Sequence, residues 1–115
     1  MSAIAGKYNF IIQQGDTWQE TLTLFDEENS PIDLTSYSAV LNIKSAKSGT
    51  SILSCSTTGS YLTIPSPSNG QILILVPSSI TTSLSFGTGV YDLKLTKNGF
   101  VTRYLEGSVN LSTDV

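Results

Sequence analysis

The sequence predicts an all-β protein, a single immunoglobulin-like β-sandwich of seven to eight strands filling residues 1–115. Three observations carry this expectation. Apolar and polar residues alternate with a period of two along most of the chain, as in half-buried strands. Clusters of Gly, Pro, Asn and Asp separate those runs at short intervals, as turns do in sandwiches and small barrels. Ser and Thr, whose hydroxyls compete with helical backbone bonds, supply much of the polarity, while only 13% of residues are charged. No Cys-Trp-Cys pattern marks an antibody-type domain.

Each element follows from its local pattern. Tyr8, Phe10 and Ile12 alternate in the first segment, with Ile11 on the opposite side. Gln14, Gly15 and Asp16 punctuate it, Gly15 being free to take a positive φ. "TWQETLTLF" places Trp18, Leu22 and Leu24 on one face. Glu20 shares that face, so it belongs near a rim or in a bulge, because a buried unpaired carboxylate is costly. Pro31 and Asp33 make the next turn: Pro31 cannot donate a ladder bond, and Asp33 can accept from the backbone ahead of it. A strand follows over residues 37–45, with Ala39, Leu41 and Ile43 inward. Residues 51–57 form another, in which Cys55 alternates with Leu53. "YLTI" is a short extended piece, and "PSPSNG" breaks it. "QILILV" is apolar on both faces and hence central in its sheet. After it, Pro77 is expected at the first position of one helical turn, with Ser and Thr as caps and Ile80 and Leu84 facing the core.

The C-terminal third is the most explicit. Two alternating runs meet at Asn98 and Gly99, a pair suited to a type I′ turn because both positions need positive φ. Tyr91, Leu93 and Leu95 form one stripe, and Val101 and Leu105 the expected answering stripe. Gly107 is read as a bulge or bend in the last strand. Residues 1–7 and 112–115 are candidate extended tails.

The residues that could carry chemistry are sparse. The chain has no His, which removes Ser-His-Asp and Cys-His catalysis and the commonest metal ligand. Cys55 is the single cysteine, so it forms no internal disulfide and reads as a small buried side chain. Asp26, Glu27, Glu28, Asn29 and Asp33 form an acidic turn whose spacing matches no calcium loop. The net charge of −3 argues against phosphate-backbone binding. The longest purely apolar run, residues 72–76, is too short to cross a bilayer. Trp18 lies on the apolar stripe, which favours core packing over a sugar-stacking platform. Tyr104 falls opposite the Val101–Leu105 stripe and, with Tyr37, is a candidate interface residue. No enzyme, cofactor or metal is expected.

Two stretches, "YNFIIQQGDTWQETLTLFDEENSPIDLTSYSAVLNIKS" and "GQILILVPSSITTSLSFGTGVYDLKLTKNGFVTRYLEGSVNLSTDV", resemble small bacteriophage virion proteins, including many from phages of cyanobacteria and other marine bacteria. They are also loosely similar to the N-terminal β-domains of phage upper-baseplate proteins. The resemblance rests on Gln14, Gly15, Trp18, Leu22, Pro31, Asp33, Leu34, Thr35, Tyr37, Ile43, Gly70, Tyr91, Asp92, Leu93, Gly99 and Gly107. Ser36 departs from it, where Gly is expected after Asp-Leu-Thr. The resemblance implies a non-enzymatic virion component of the tail, baseplate or fibre adaptor. Its partners would be other virion proteins, met in multiple copies by symmetry. A head decoration or collar protein is the neighbouring alternative, and a receptor- or carbohydrate-binding module the alternative from a different class.

Overall fold

The computed structural model describes residues 6–7 (backbone only), 9–26, 28–45, 49–85 and 87–112. In chain order the strands are β1 (Gly6–Lys7), β2 (Phe10–Gln13), β3 (Trp18–Thr23), β4 (Ser38–Lys44), β5 (Ser51–Ser56), β6 (Leu62–Ser66), β7 (Gln71–Val76), β8 (Thr88–Lys97) and β9 (Phe100–Ser112). A 3-10 turn at Pro67–Asn69 precedes β7, and a short helix, α1 (Ser78–Thr82), follows it.

Strands β2, β4, β5, β7 and β8 bury alternate residues, and two sheets result. The larger runs β1-β9-β8-β4-β5, with β2 also pairing with β9; the smaller runs β3-β7-β6. The described strands number nine, against seven to eight expected, because the N-terminal segment is two pieces. Both β1 and β2 lie parallel to the same edge of β9. Part of the expected N-terminal tail, residues 6–7, is therefore paired strand. At the other end Ser112 belongs to β9, faces Gln13, and accepts a hydrogen bond from the Gln14 N–H at 2.9 Å. The rest of both tails lies outside the described residues, as does Tyr8.

The core is one continuous apolar cluster between the sheets. From the larger sheet come Phe10 and Ile12, Ala39, Leu41 and Ile43, Leu53 and Cys55, and Tyr91, Leu93 and Leu95. From the smaller come Trp18, Leu22, Leu62, Ile72, Ile74 and Val76. Phe10 bridges the two layers. Its ring meets Trp18 edge-on at 5.3 Å between centroids and Tyr91 at 4.7 Å. Strand β7 is central, as expected, but only one of its faces is covered: Leu75 on the other is 44% exposed. Pro65 is tolerated because β6 is an edge strand whose register slips between Thr63 and Ser66.

The turn before β7 closes the smaller sheet against the loop after β3. Gly70 has φ +68° and lies where a Cβ would come 2.7 Å from the Leu24 carbonyl oxygen and 2.9 Å from that of Ile32. Its own carbonyl accepts from the Leu24 N–H at 2.8 Å. No larger residue fits that approach without moving backbone.

The β8–β9 hairpin turns at Asn98 and Gly99 with φ of +52° and +83°, the pair of positive angles a type I′ turn requires. The answering stripe differs from expectation. Val101 is 61% exposed and Leu105 only partly buried, whereas Tyr104 is 4% exposed. The cause is a bulge: Leu93 faces Leu105 but Lys94 faces Arg103, leaving Tyr104 as an extra residue. One inserted residue reverses the parity of alternation, so Val101 and Leu105 fall on opposite faces. The bulge is at Tyr104, not at Gly107, where pairing with Tyr91 continues unbroken.

Helix α1 also differs in detail. Pro77 is its N-cap, with extended ψ, rather than its first helical residue, and no side-chain hydroxyl caps it. Leu84 is buried and Ile80 partly so, but Thr81 is the helical residue fully enclosed.

Candidate functional site

Among the described residues the best-formed concavity is an open groove of about 430 Å³ on the outer face of the larger sheet. It is built by the residues that alternate with the core stripe: Asn42 and Lys44 on β4, Asp92 and Lys94 on β8, and Arg103, Glu106 and Ser108 on β9. Asn42, Asp92 and Glu106 stand in one cross-strand row. Two carboxylates directly opposite each other repel. Arg103 offsets this, placing Nε 3.7 Å from Asp92 Oδ2 and Nη1 3.7 Å from Glu106 Oε1. The bulge at Tyr104 is what sets Arg103 over that row. Asn9 closes one side of the groove, and its Oδ1 accepts the Ser108 N–H at 3.0 Å where the parallel pairing is interrupted between β1 and β2. Its amide, ammonium, guanidinium, carboxylate and hydroxyl groups offer hydrogen bonds and ion pairs.

The other singled-out residues lie elsewhere. Trp18 is 5% exposed, and its indole N–H donates weakly to Glu20 Oε1 at 3.4 Å. Half-buried Glu20 is thereby partnered within β3, which runs in register with β7 without a bulge. Gly15 belongs to a latch. Its N–H donates to the Thr81 hydroxyl at 3.2 Å, and that hydroxyl donates to the Asp16 carbonyl at 2.8 Å. Beside it, Gln14 Nε2 donates to the Leu84 carbonyl at 2.7 Å and the Thr82 carbonyl at 3.2 Å, satisfying the end of α1. The Gln-Gly pair of the sequence thus holds the helix against the β2–β3 turn.

Asp33 Oδ1 accepts from the Thr35 N–H at 3.0 Å and the Thr35 hydroxyl at 2.6 Å. The hydroxyl bond first, then the backbone bond, hold its carboxyl below the usual aspartate range. Ser36 follows with φ +68°, the conformation Gly favours. Pro31 is exposed and bridges to Phe25. Asp26 Oδ1 accepts from the Glu28 and Ser30 N–H groups at 2.9 and 3.0 Å, so this acidic residue organises its own turn. Glu27 is outside the described residues. Among those described, no three acidic or thiol groups are placed to hold a metal.

Neither candidate interface tyrosine is freely exposed. Tyr37 is half-buried against the core with the Lys97 ammonium 5.3 Å from its ring centre. Tyr104 is buried and its hydroxyl donates to the Phe25 carbonyl. Burial, then the charge of Asp26, push its pKa up. The bulge has no local sequence signal, which is why Tyr104 reads from alternation as an outward residue.

No family model matches the chain, and no curated protein matches it. Solved structures do. One is the N-terminal domain of phage TP901-1 ORF48, with a TM-score of 0.55 and 6% identity, covering 96% of this chain and 99% of that one. Another is a family 123 glycoside hydrolase from Clostridium perfringens described for glycolipid glycan hydrolysis. Its TM-score is 0.36 at 13% identity, over 95% of this chain and 23% of that one, too low to bear on the present fold. The first likeness, at such low identity, is one of fold, and it spans both chains nearly end to end.

Proposed function

We propose that the chain is a non-enzymatic structural component of a phage virion, a tail, baseplate or fibre-adaptor protein working through symmetric protein–protein contacts. The observation that carries this is the end-to-end fold match to the N-terminal domain of a phage protein. It joins the sequence resemblance to upper-baseplate β-domains; nothing in it bears on the cyanophage type. The immunoglobulin-like description of the two sheets belongs to the same reading. Under it the outer groove around Arg103 is the docking face for another virion protein, and the chain resides in the virion. A head decoration or collar protein would use the same fold. The carbohydrate-binding alternative loses its platform, since Trp18 and Tyr104 are both buried.

Quantitative mass spectrometry of gradient-purified particles from the source tests the proposal. A copy number matching threefold or sixfold rings supports a tail or baseplate part. One that tracks the major capsid protein makes it a decoration protein. Absence from the particle overturns the structural reading.

A further inference from the structure

Three asparagines precede a small residue: Asn29 before Ser30, Asn69 before Gly70 and Asn98 before Gly99. Such pairs share one latent reaction. The backbone nitrogen of the second residue can attack the side-chain carbonyl of the Asn, and Gly, with no Cβ, obstructs that approach least. The attack needs an unengaged nitrogen and room for the backbone to turn. The three positions differ on both counts.

At the first, the Ser30 N–H donates to Asp26 Oδ1 at 3.0 Å. At the second, both reacting groups are held. The Gly70 N–H donates to the Pro67 carbonyl at 3.1 Å, and Asn69 Nδ2 donates to Ser66 Oγ at 2.8 Å. Gly70 is also buried, with the Leu24 and Ile32 carbonyl oxygens packed against it. Asn98 has none of these restraints. It and Gly99 are the central residues of the β8–β9 turn, and the ladder closes between Lys97 and Phe100. The Gly99 N–H therefore has no ladder partner, and no acceptor among the described residues. Residues 97–100 are all exposed, and nothing lies within 4 Å of where a Gly99 Cβ would stand. The tip can reorganise without opening the core.

We propose that Asn98 is a site of spontaneous deamidation in the folded protein, and that Asn69 and Asn29 are protected from it. The Gly99 nitrogen gives up its proton to solvent base and bonds to Asn98 Cγ. The Cγ–Nδ2 bond breaks, and Nδ2 leaves as ammonia. Water then opens the cyclic imide. Adding at Cγ, it leaves Asp in an ordinary main chain. Adding at the main-chain carbonyl, it leaves isoaspartate, whose main chain runs through Cβ and Cγ. Either product adds a negative charge at the hairpin tip. The second also lengthens the turn by one carbon, so Lys97 and Phe100 no longer close it in the type I′ geometry. The inference does not rest on the virion reading.

Ageing the full chain in mildly alkaline buffer tests it, with the chain unfolded in guanidinium chloride as the reference. Peptide mapping by mass spectrometry locates the exchange of NH2 for OH. An isoaspartate methyltransferase with a labelled methyl donor counts the rearranged product. In guanidinium chloride Asn69 and Asn98 should react at similar rates, both being unrestrained Asn-Gly pairs. In the folded chain Asn98 should react roughly tenfold or more faster than Asn69 or Asn29. Asn98→Gly accepts the same positive φ, so it should fold alike and lose most of the methyl label. Asn98 reacting no faster than Asn69 in the folded chain, Asn98 reacting only in guanidinium chloride, or full labelling of aged Asn98→Gly overturns the proposal.

Discussion

Ser36 holds a φ of +68°, where a Cβ costs roughly 1–2 kcal/mol. Gly removes that cost but adds backbone entropy to the unfolded chain. Ser36→Gly is therefore expected to raise stability by up to about 1 kcal/mol, read as a higher urea midpoint at unchanged slope. The same turn makes a pH prediction. Asp33 has its folded pKa held below 3.8 by the Thr35 hydroxyl and N–H. A carboxylate with a depressed folded pKa stabilises above its unfolded value, and that contribution is lost as pH falls through the folded one. The stability margin of wild type over Asp33→Asn should be full at neutral pH and shrink below pH 3.8. Urea melts across that range check it; a margin that grows on acidification contradicts the assignment. Both residues were legible in the sequence, Asp33 as a turn acceptor and Ser36 as the place where Gly was expected. Tyr104 was not, because its burial depends on how β9 is registered against β8.

At the level of elements, the hairpin and the latch make separate predictions. Gly99 has φ +83° with open space around its missing Cβ, so any penalty for a side chain there is conformational rather than steric crowding. Gly99→Val should destabilise by about 1–2 kcal/mol or more, since a β-branched residue resists that angle. No loss in thermal or urea melts would contradict the turn type. Thr81→Val keeps the shape but leaves the Gly15 N–H and Asp16 carbonyl without the hydroxyl they share. The expected cost is about 1–3 kcal/mol in urea unfolding. The strands and the Asn-Gly turn are visible as local patterns. The partner of Gln14 and Gly15 lies more than sixty residues away, so no local pattern reports it.

For the molecule as a whole, Cys55 is a reporter of cooperativity. It sits fully buried on β5, and burial pushes its thiol up to about 12. A thiol there stays protonated and unreactive at neutral pH. Labelling by a thiol reagent in native buffer should be slow and should accelerate only through the unfolding transition. Rapid labelling of the folded protein would mean that β5 opens on its own, which the continuous core between the sheets argues against. At this scale the likeness to a phage protein's N-terminal domain concerns the path of the chain, with 6% of residues in common. A shared fold with so little shared sequence is what an architecture defined by alternation and turns permits.

By itself the sequence determined the all-β class, the rough positions of the strands beyond the N-terminal segment, the turns at Asp33 and at Asn98 and Gly99, and the inward residues of β2, β3, β4, β5 and β8. Alternation is a property of one strand, and it is written in consecutive residues. Only the tertiary structure decided that residues 6–13 split into two strands parallel to β9, that a bulge brings Tyr104 inward and sends Val101 outward, and that Arg103 stands between Asp92 and Glu106. Those features depend on pairing and register between segments far apart in the chain. A single unpaired residue is enough to exchange the two faces of everything beyond it.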